Sequence, residues 1–209
     1  MFPLKKTFEE LMAQLTSDVA LTAKLWTEIE GNYSQKDRHY HNLQHLSSLL
    51  QCLFSVKDKI QDWTTLLFSV YYHDIIHDPE SAENEERSAE LAAQRMNQIG
   101  MSTEMIKGCT DQIMATKSHQ STQDRDTNYL MDADLSILGQ SWDRYSEYCQ
   151  NIRKEYAIYP SALYNAGRKK TLRHFLAMKP IFKTDFFSRK LDQQARENIR
   201  KEIDILTRM

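Results

Sequence analysis

Apolar residues recur at three- and four-residue spacings along most of this chain, and few stretches show the two-residue alternation of strands. Phe8, Leu11, Leu15 and Val19 predict a first helix, with Thr7 as its N-cap and Glu10 three residues on. Leu46, Leu49, Leu50 and Leu53 form a second apolar stripe, and Trp63, Leu66, Leu67, Val70 and Tyr71 a third. Ser81 is placed to cap a helix through residues 85–98 that stops near Gly100. Further helices fit 102–117, 128–138, 141–158, 161–178 and 188–208. The polar segment Gln120–Thr127 has no apolar residue and reads as a surface loop. With five glycines, four prolines, no repeat and no linker, the pattern predicts one compact all-α domain over 1–209.

Composition narrows the function classes. A hydrophobic fraction of 41% in 209 residues supports one well-packed core. The net charge of -2 argues against a nucleic-acid platform or a binder of anionic membranes, both of which need a basic excess. No apolar run reaches bilayer length and no signal-peptide core stands at the N-terminus, so a cytoplasmic location is expected. Cys52, Cys109 and Cys149 are scattered and odd in number, and read as small buried hydrophobes in a reducing compartment. A homodimer is the ordinary prior for the assembly.

Histidine carries the chemistry. His39, His41 and His45 crowd one segment, and His73-Asp74 is followed by His77-Asp78-Pro79. On helices, His41 with His45 and His73 with His77 share a face, each beside an apolar stripe. Several imidazoles and Asp74 brought into one interior space are costly unless compensated, and a divalent cation compensates them by taking neutral imidazole and carboxylate as ligands. Met131-Asp132-Ala133-Asp134-Leu135-Ser136 adds a carboxylate within an otherwise apolar helix.

In these residues the chain resembles the HD superfamily, whose signature is a His, a later His-Asp doublet and a distant Asp. The resemblance implies a metal held by His45, His73, Asp74 and Asp134, within an HD core at about 38–140. Tyr40-His41-Asn42 with His45, and Ala133-Asp134-Leu135-Ser136, are similar to segments of cyclic-nucleotide phosphodiesterases, where the first His donates a proton. Tyr40–His45, His73–Pro79, Asp132–Gly139, residues 153–156 and the tail from Ile181 to Asn198 resemble a bacterial family of HD proteins described as metal-dependent phosphohydrolases. No counterpart of the purine-clamping Gln-Phe element of the phosphodiesterases stands in the C-terminal third, which argues against a cyclic nucleotide.

The implied activity is hydrolysis of a phosphate ester or phosphoanhydride, on a nucleotide or another small phosphorylated metabolite. One or two ions of Mn, Co, Ni, Fe or Mg suit such ligands better than a structural zinc. His41 is the expected general acid, since imidazole titrates near neutrality. His77 is expected as an acid/base or, with His119, as a ligand of a second metal. Lys117, Arg153 and Arg168 are the cations expected to meet substrate phosphate. Asp78 and Asp132 read as capping groups or as supports for the ligands, and His39 and His174 as structural or exposed. Two other readings compete: an HD-type di-iron oxygenase, and a non-catalytic module that binds a nucleotide or metal.

Overall fold

Ten α-helices and no strand account for the regular structure of residues 2–208, the part of the chain described by the computed structural model. The helices are α1 Leu4–Leu15, α2 Val19–Tyr33, α3 Leu43–Phe54, α4 Trp63–Tyr72 and α5 Asn84–Gln98. They continue with α6 Thr103–Thr116, α7 Arg125–Asp134, α8 Trp142–Glu155, α9 Ser161–Ala177 and α10 Asp185–Arg208. Short 3-10 turns cover Lys57–Lys59 and Leu135–Gly139. The fold is therefore all-α, as the periodicity requires. Its contacts divide the chain after Leu130 into two units, and α7 runs through the division.

In the first unit, α4 is the central element. Every residue from Thr65 to Tyr72 is buried, because α4 packs against α3, α5 and α6 at once. A helix apolar all round has no solvent face to keep. Leu46, Leu49, Leu50 and Leu53 of α3 are all within 1% of full burial, and each such side chain contributes about 1.5–3 kcal/mol relative to exposure. Polar contacts then fix the position of α4 within this packing. The Tyr71 hydroxyl donates to the Leu4 carbonyl at 2.9 Å, and Ser69 donates to Gln112 Oε1 at 2.7 Å. Tyr72 reaches Glu28, which also holds Arg95. The C-terminal end of α4, where His73 begins, is thus anchored from three directions.

The second unit is held by backbone carbonyls captured by side chains. Asn198 Nδ2 donates to the carbonyls of Leu138 and Gln140 at 2.9 and 2.8 Å, tying α10 to the 3-10 turn. Arg196 donates to the carbonyls of Leu176 and Met178 behind α9. The approach at the turn is close: a Cβ on Gly139 would lie 2.5 Å from Leu191 Cβ and 2.8 Å from its carbonyl oxygen.

Several boundaries differ from the sequence pattern, each for a local reason. The first helix starts at Leu4, so Thr7 lies inside it, buried, with its hydroxyl donating to the Pro3 carbonyl instead of capping. Val19 does not extend that stripe. It opens α2, a helix the periodicity did not single out, behind the Asp18 N-cap, and it is 80% exposed. Ser81 accepts from the Glu83 N–H in a turn before α5 and does not cap it. Residues 125–127 are not surface loop: α7 begins at Arg125, and Asp126 is buried because its carboxylate accepts the N–H groups of Gln61 and Asp62. No helix among the described residues is long and apolar enough to cross a membrane. Cys109 is buried, and Cys52 and Cys149 are half-buried.

Candidate metal centre

The histidine pairs do not lie on helices as their spacing suggests. Asn42 has extended backbone, and its side-chain oxygen accepts the N–H groups of Gln44 and His45, so α3 starts at Leu43 and His41 stands in the turn before it. Asparagine competes for backbone donors in this way wherever a helix begins. His73 is the C-cap of α4, and His77 lies beyond it in the segment leading to Pro79. The four imidazoles converge all the same.

His45 Nε2 and His73 Nε2 lie 3.3 Å apart, both rings buried. Asp74 Oδ2 is 3.1 Å from His73 Nε2 and 3.7 Å from His45 Nε2. The orientation of His73 is fixed by its other nitrogen, since Nδ1 sits 2.9 Å from the Val70 carbonyl. A carbonyl only accepts, so Nδ1 carries the proton, and in the neutral ring Nε2 turns a lone pair toward His45 and Asp74. A backbone carbonyl behind a ligating imidazole is the arrangement that sets tautomer and basicity for a metal. Side-chain exposure grades outward, from 0% for His73 and 4% for His45 to 21% for Asp74. Asp74 therefore forms the accessible edge of the cluster.

α7 contributes the remaining carboxylate. Its first turn carries Asp126 and its last residue is Asp134. One ligand atom from each of His45, His73 and Asp74 lies within 4.8 Å of the others, and Asp134 stands at the end of α7, the helix that runs through the division between the units. These are the four positions the sequence singled out. Two imidazole nitrogens and two carboxylates match a divalent cation in oxygen- and nitrogen-rich coordination.

A second group stands beside the first. The rings of His41 and His77 are 4.4 Å apart, and His41 Nε2 is 4.0 Å from Asp74 Oδ2. The two imidazoles form a second potential ligand group within the first unit. His119, expected here, belongs to neither group among the described residues; it follows α6 with φ of 52°. His39 and His174 are exposed.

The expected phosphate cations are engaged elsewhere. Arg168 is buried, with Nε and Nη2 on the two oxygens of Glu202 at 2.8 and 3.1 Å and Nη1 on the Tyr148 hydroxyl. Its placement makes it an interior ion-pair partner. Arg153 donates to the carbonyls of Tyr156 and Tyr159 and lies over the Tyr164 ring. Lys117 donates to Glu86 and to the Ala82 carbonyl, and the bond to Glu86 lifts its ammonium above the usual lysine value. Asp132 lies inside α7 and accepts from Lys183 N, Thr184 N and the Thr184 hydroxyl, just before α10. Asp78 likewise accepts from Glu80 N in its own turn.

Compared with known proteins, the chain matches no family model, no curated protein and no solved structure. The functional reading therefore rests on side-chain geometry.

Proposed function

We propose that this chain is a metal-dependent phosphohydrolase acting on a nucleotide or another small phosphorylated metabolite. The observation that carries the reading is the convergence of His45 Nε2, His73 Nε2 and Asp74 Oδ2 within 3.7 Å, with the His73 lone pair directed by the Val70 carbonyl. His45, His73, Asp74 and Asp134 are the residues to hold the cation, with Mn, Co, Ni, Fe and Mg as the fitting ions. Bound there, a divalent cation supplies Lewis acidity that lowers the pKa of water toward neutrality and polarises a phosphoryl oxygen. Asp74 stands at the exposed edge of the cluster. His41, also 21% exposed and 4.0 Å from Asp74, is placed to give a proton to the leaving oxygen, with His77 beside it to take part in the transfer.

The experiment is a phosphate-release screen over monoesters, diesters and nucleotides with Mn or Co, on wild type and Asp74→Ala. Turnover by the wild type, lost together with metal in the variant while the helical circular dichroism is kept, is the expected result. Activity surviving in Asp74→Ala excludes this site.

The 4.4 Å approach of the His41 and His77 rings favours a second reading, in which another ion sits there and His41 becomes a ligand. Two ions per chain after anaerobic iron loading, with oxygen uptake, would support the oxygenase alternative. One ion per chain keeps His41 as the proton donor.

A further inference from the structure

Arg38 is 5% exposed, yet no carboxylate pairs with it among the described residues. Burying a guanidinium without an anion costs free energy that other contacts must offset. Its partners are backbone carbonyls. Nη1 donates to the Asp74 carbonyl at 2.6 Å and to the His41 carbonyl at 3.2 Å, and Nη2 donates to the Ile75 carbonyl at 2.7 Å. The guanidinium also lies 5.0 Å from the centre of the Tyr33 ring, a cation–π contact. Tyr33 is buried, and its hydroxyl accepts the N–H of Asp74 at 3.2 Å.

The Asp74 peptide is thus held at both ends, its N–H by Tyr33 and its carbonyl by Arg38. One nitrogen of Arg38 spans the two segments that carry the candidate chemistry, 41–45 and 73–77. These carbonyls cluster just past the C-terminus of α4, where the helix dipole presents negative charge, so a cation is electrostatically suited to the spot. The planar fork holds donors on two separate nitrogens in fixed directions, a spread that the single nitrogen of an ammonium does not reproduce.

We propose that Arg38 is the positioning residue that sets the backbone of Asp74 against that of His41, with Tyr33 as its support, so that the cluster's ligand geometry depends on it. The inference deepens the phosphohydrolase reading and rests on it only for the metal. Loss of a group that orients ligands from outside the coordination sphere costs about ten- to a hundredfold in metal affinity.

Two measurements on the full chain separate the ideas: amide hydrogen exchange and Mn²⁺ titration, on wild type, Arg38→Lys, Arg38→Ala and Tyr71→Phe. Tyr71→Phe removes the α4 hydroxyl contact with Leu4 but touches neither Arg38 nor Asp74. In Arg38→Lys, exchange in peptides covering 41–45 and 73–77 is expected to rise at least about tenfold while α4 itself stays protected, with Mn²⁺ affinity falling by the factor above. Tyr71→Phe is expected to leave both readouts unchanged. Should Arg38→Ala fail to fold, Arg38→Lys, which keeps the charge, carries the test. Exchange in both segments identical to wild type in Arg38→Lys overturns the proposal. A wild type that binds no Mn²⁺ overturns the metal reading instead, and the exchange result still decides the role of Arg38.

Discussion

Two buried arginines, one in each unit, show how the same side chain is used for opposite ends. Arg168 meets both oxygens of Glu202 and the Tyr148 hydroxyl, so charge answers charge and nothing in the cluster is left over. Burial alone would lift the Glu202 carboxyl, but the Arg168 charge and the donors from Arg168, Tyr145 and Cys149 reverse this and hold it below the ordinary carboxylate value. Arg38 has no such anion. It takes carbonyls, and the only carboxylate on its partner residues, that of Asp74, points instead toward His45 and His73. A saturated polar cluster serves stability, whereas one that leaves an acid and imidazoles facing each other retains capacity for a ligand.

The sharpest way to break this comparison is to remove the anion from the saturated cluster. Glu202→Gln should cost about 3–5 kcal/mol by leaving Arg168 uncompensated, while Mn²⁺ affinity at the other cluster stays at the wild-type value. Chemical denaturation and titration of the same sample check both halves. If metal affinity falls as well, the two arginines are not separate devices.

Next in size is a steric test within the second unit. Gly139→Ala places a methyl 2.5 Å from Leu191 Cβ, so the turn and α10 must separate, at about 1–3 kcal/mol. The expected loss of thermal stability should come without any change in the exchange of residues 73–77.

A pH series sharpens the comparison further. Because Glu202 titrates below its ordinary value of 4.5 in the fold, the stability it contributes is complete above that value and is lost as pH falls through the depressed folded value. Wild type should therefore lose more stability between neutrality and about pH 3 than Glu202→Gln does. Equal acid losses in the two proteins would contradict the assignment. The smallest effect is expected at His119, where substitution by alanine should leave metal stoichiometry and affinity unaltered, since His119 joins neither ligand group.

Periodicity made most helices legible, because Leu46, Leu49, Leu50 and Leu53, or Leu66 to Tyr71, can bury together only on a helical face. It failed where a polar side chain overrides the stripe. Asn42 caps α3 and so parts His41 from the helix that carries His45, and Asp126 draws only the last residues of a polar, mostly exposed segment into the interior by accepting the N–H groups at positions 61 and 62. The four candidate ligands were legible through the resemblance, whose signature orders a His, a His-Asp doublet and a distant Asp, while the residue pattern alone pointed only to imidazoles and acids that need compensation. Arg38 and Tyr33 were not legible, because their roles arise from partners far along the chain. The same holds for Arg168, whose commitment to Glu202 no local pattern announces.

Equilibrium dialysis of the purified chain against Mn²⁺, with wild type and His73→Ala side by side, addresses the site most directly. His45, His73, Asp74 and Asp134 acting as one ligand set predicts stoichiometric binding in the wild type and its loss in the folded variant. Equal metal uptake by the two proteins, or none by the wild type, would contradict it.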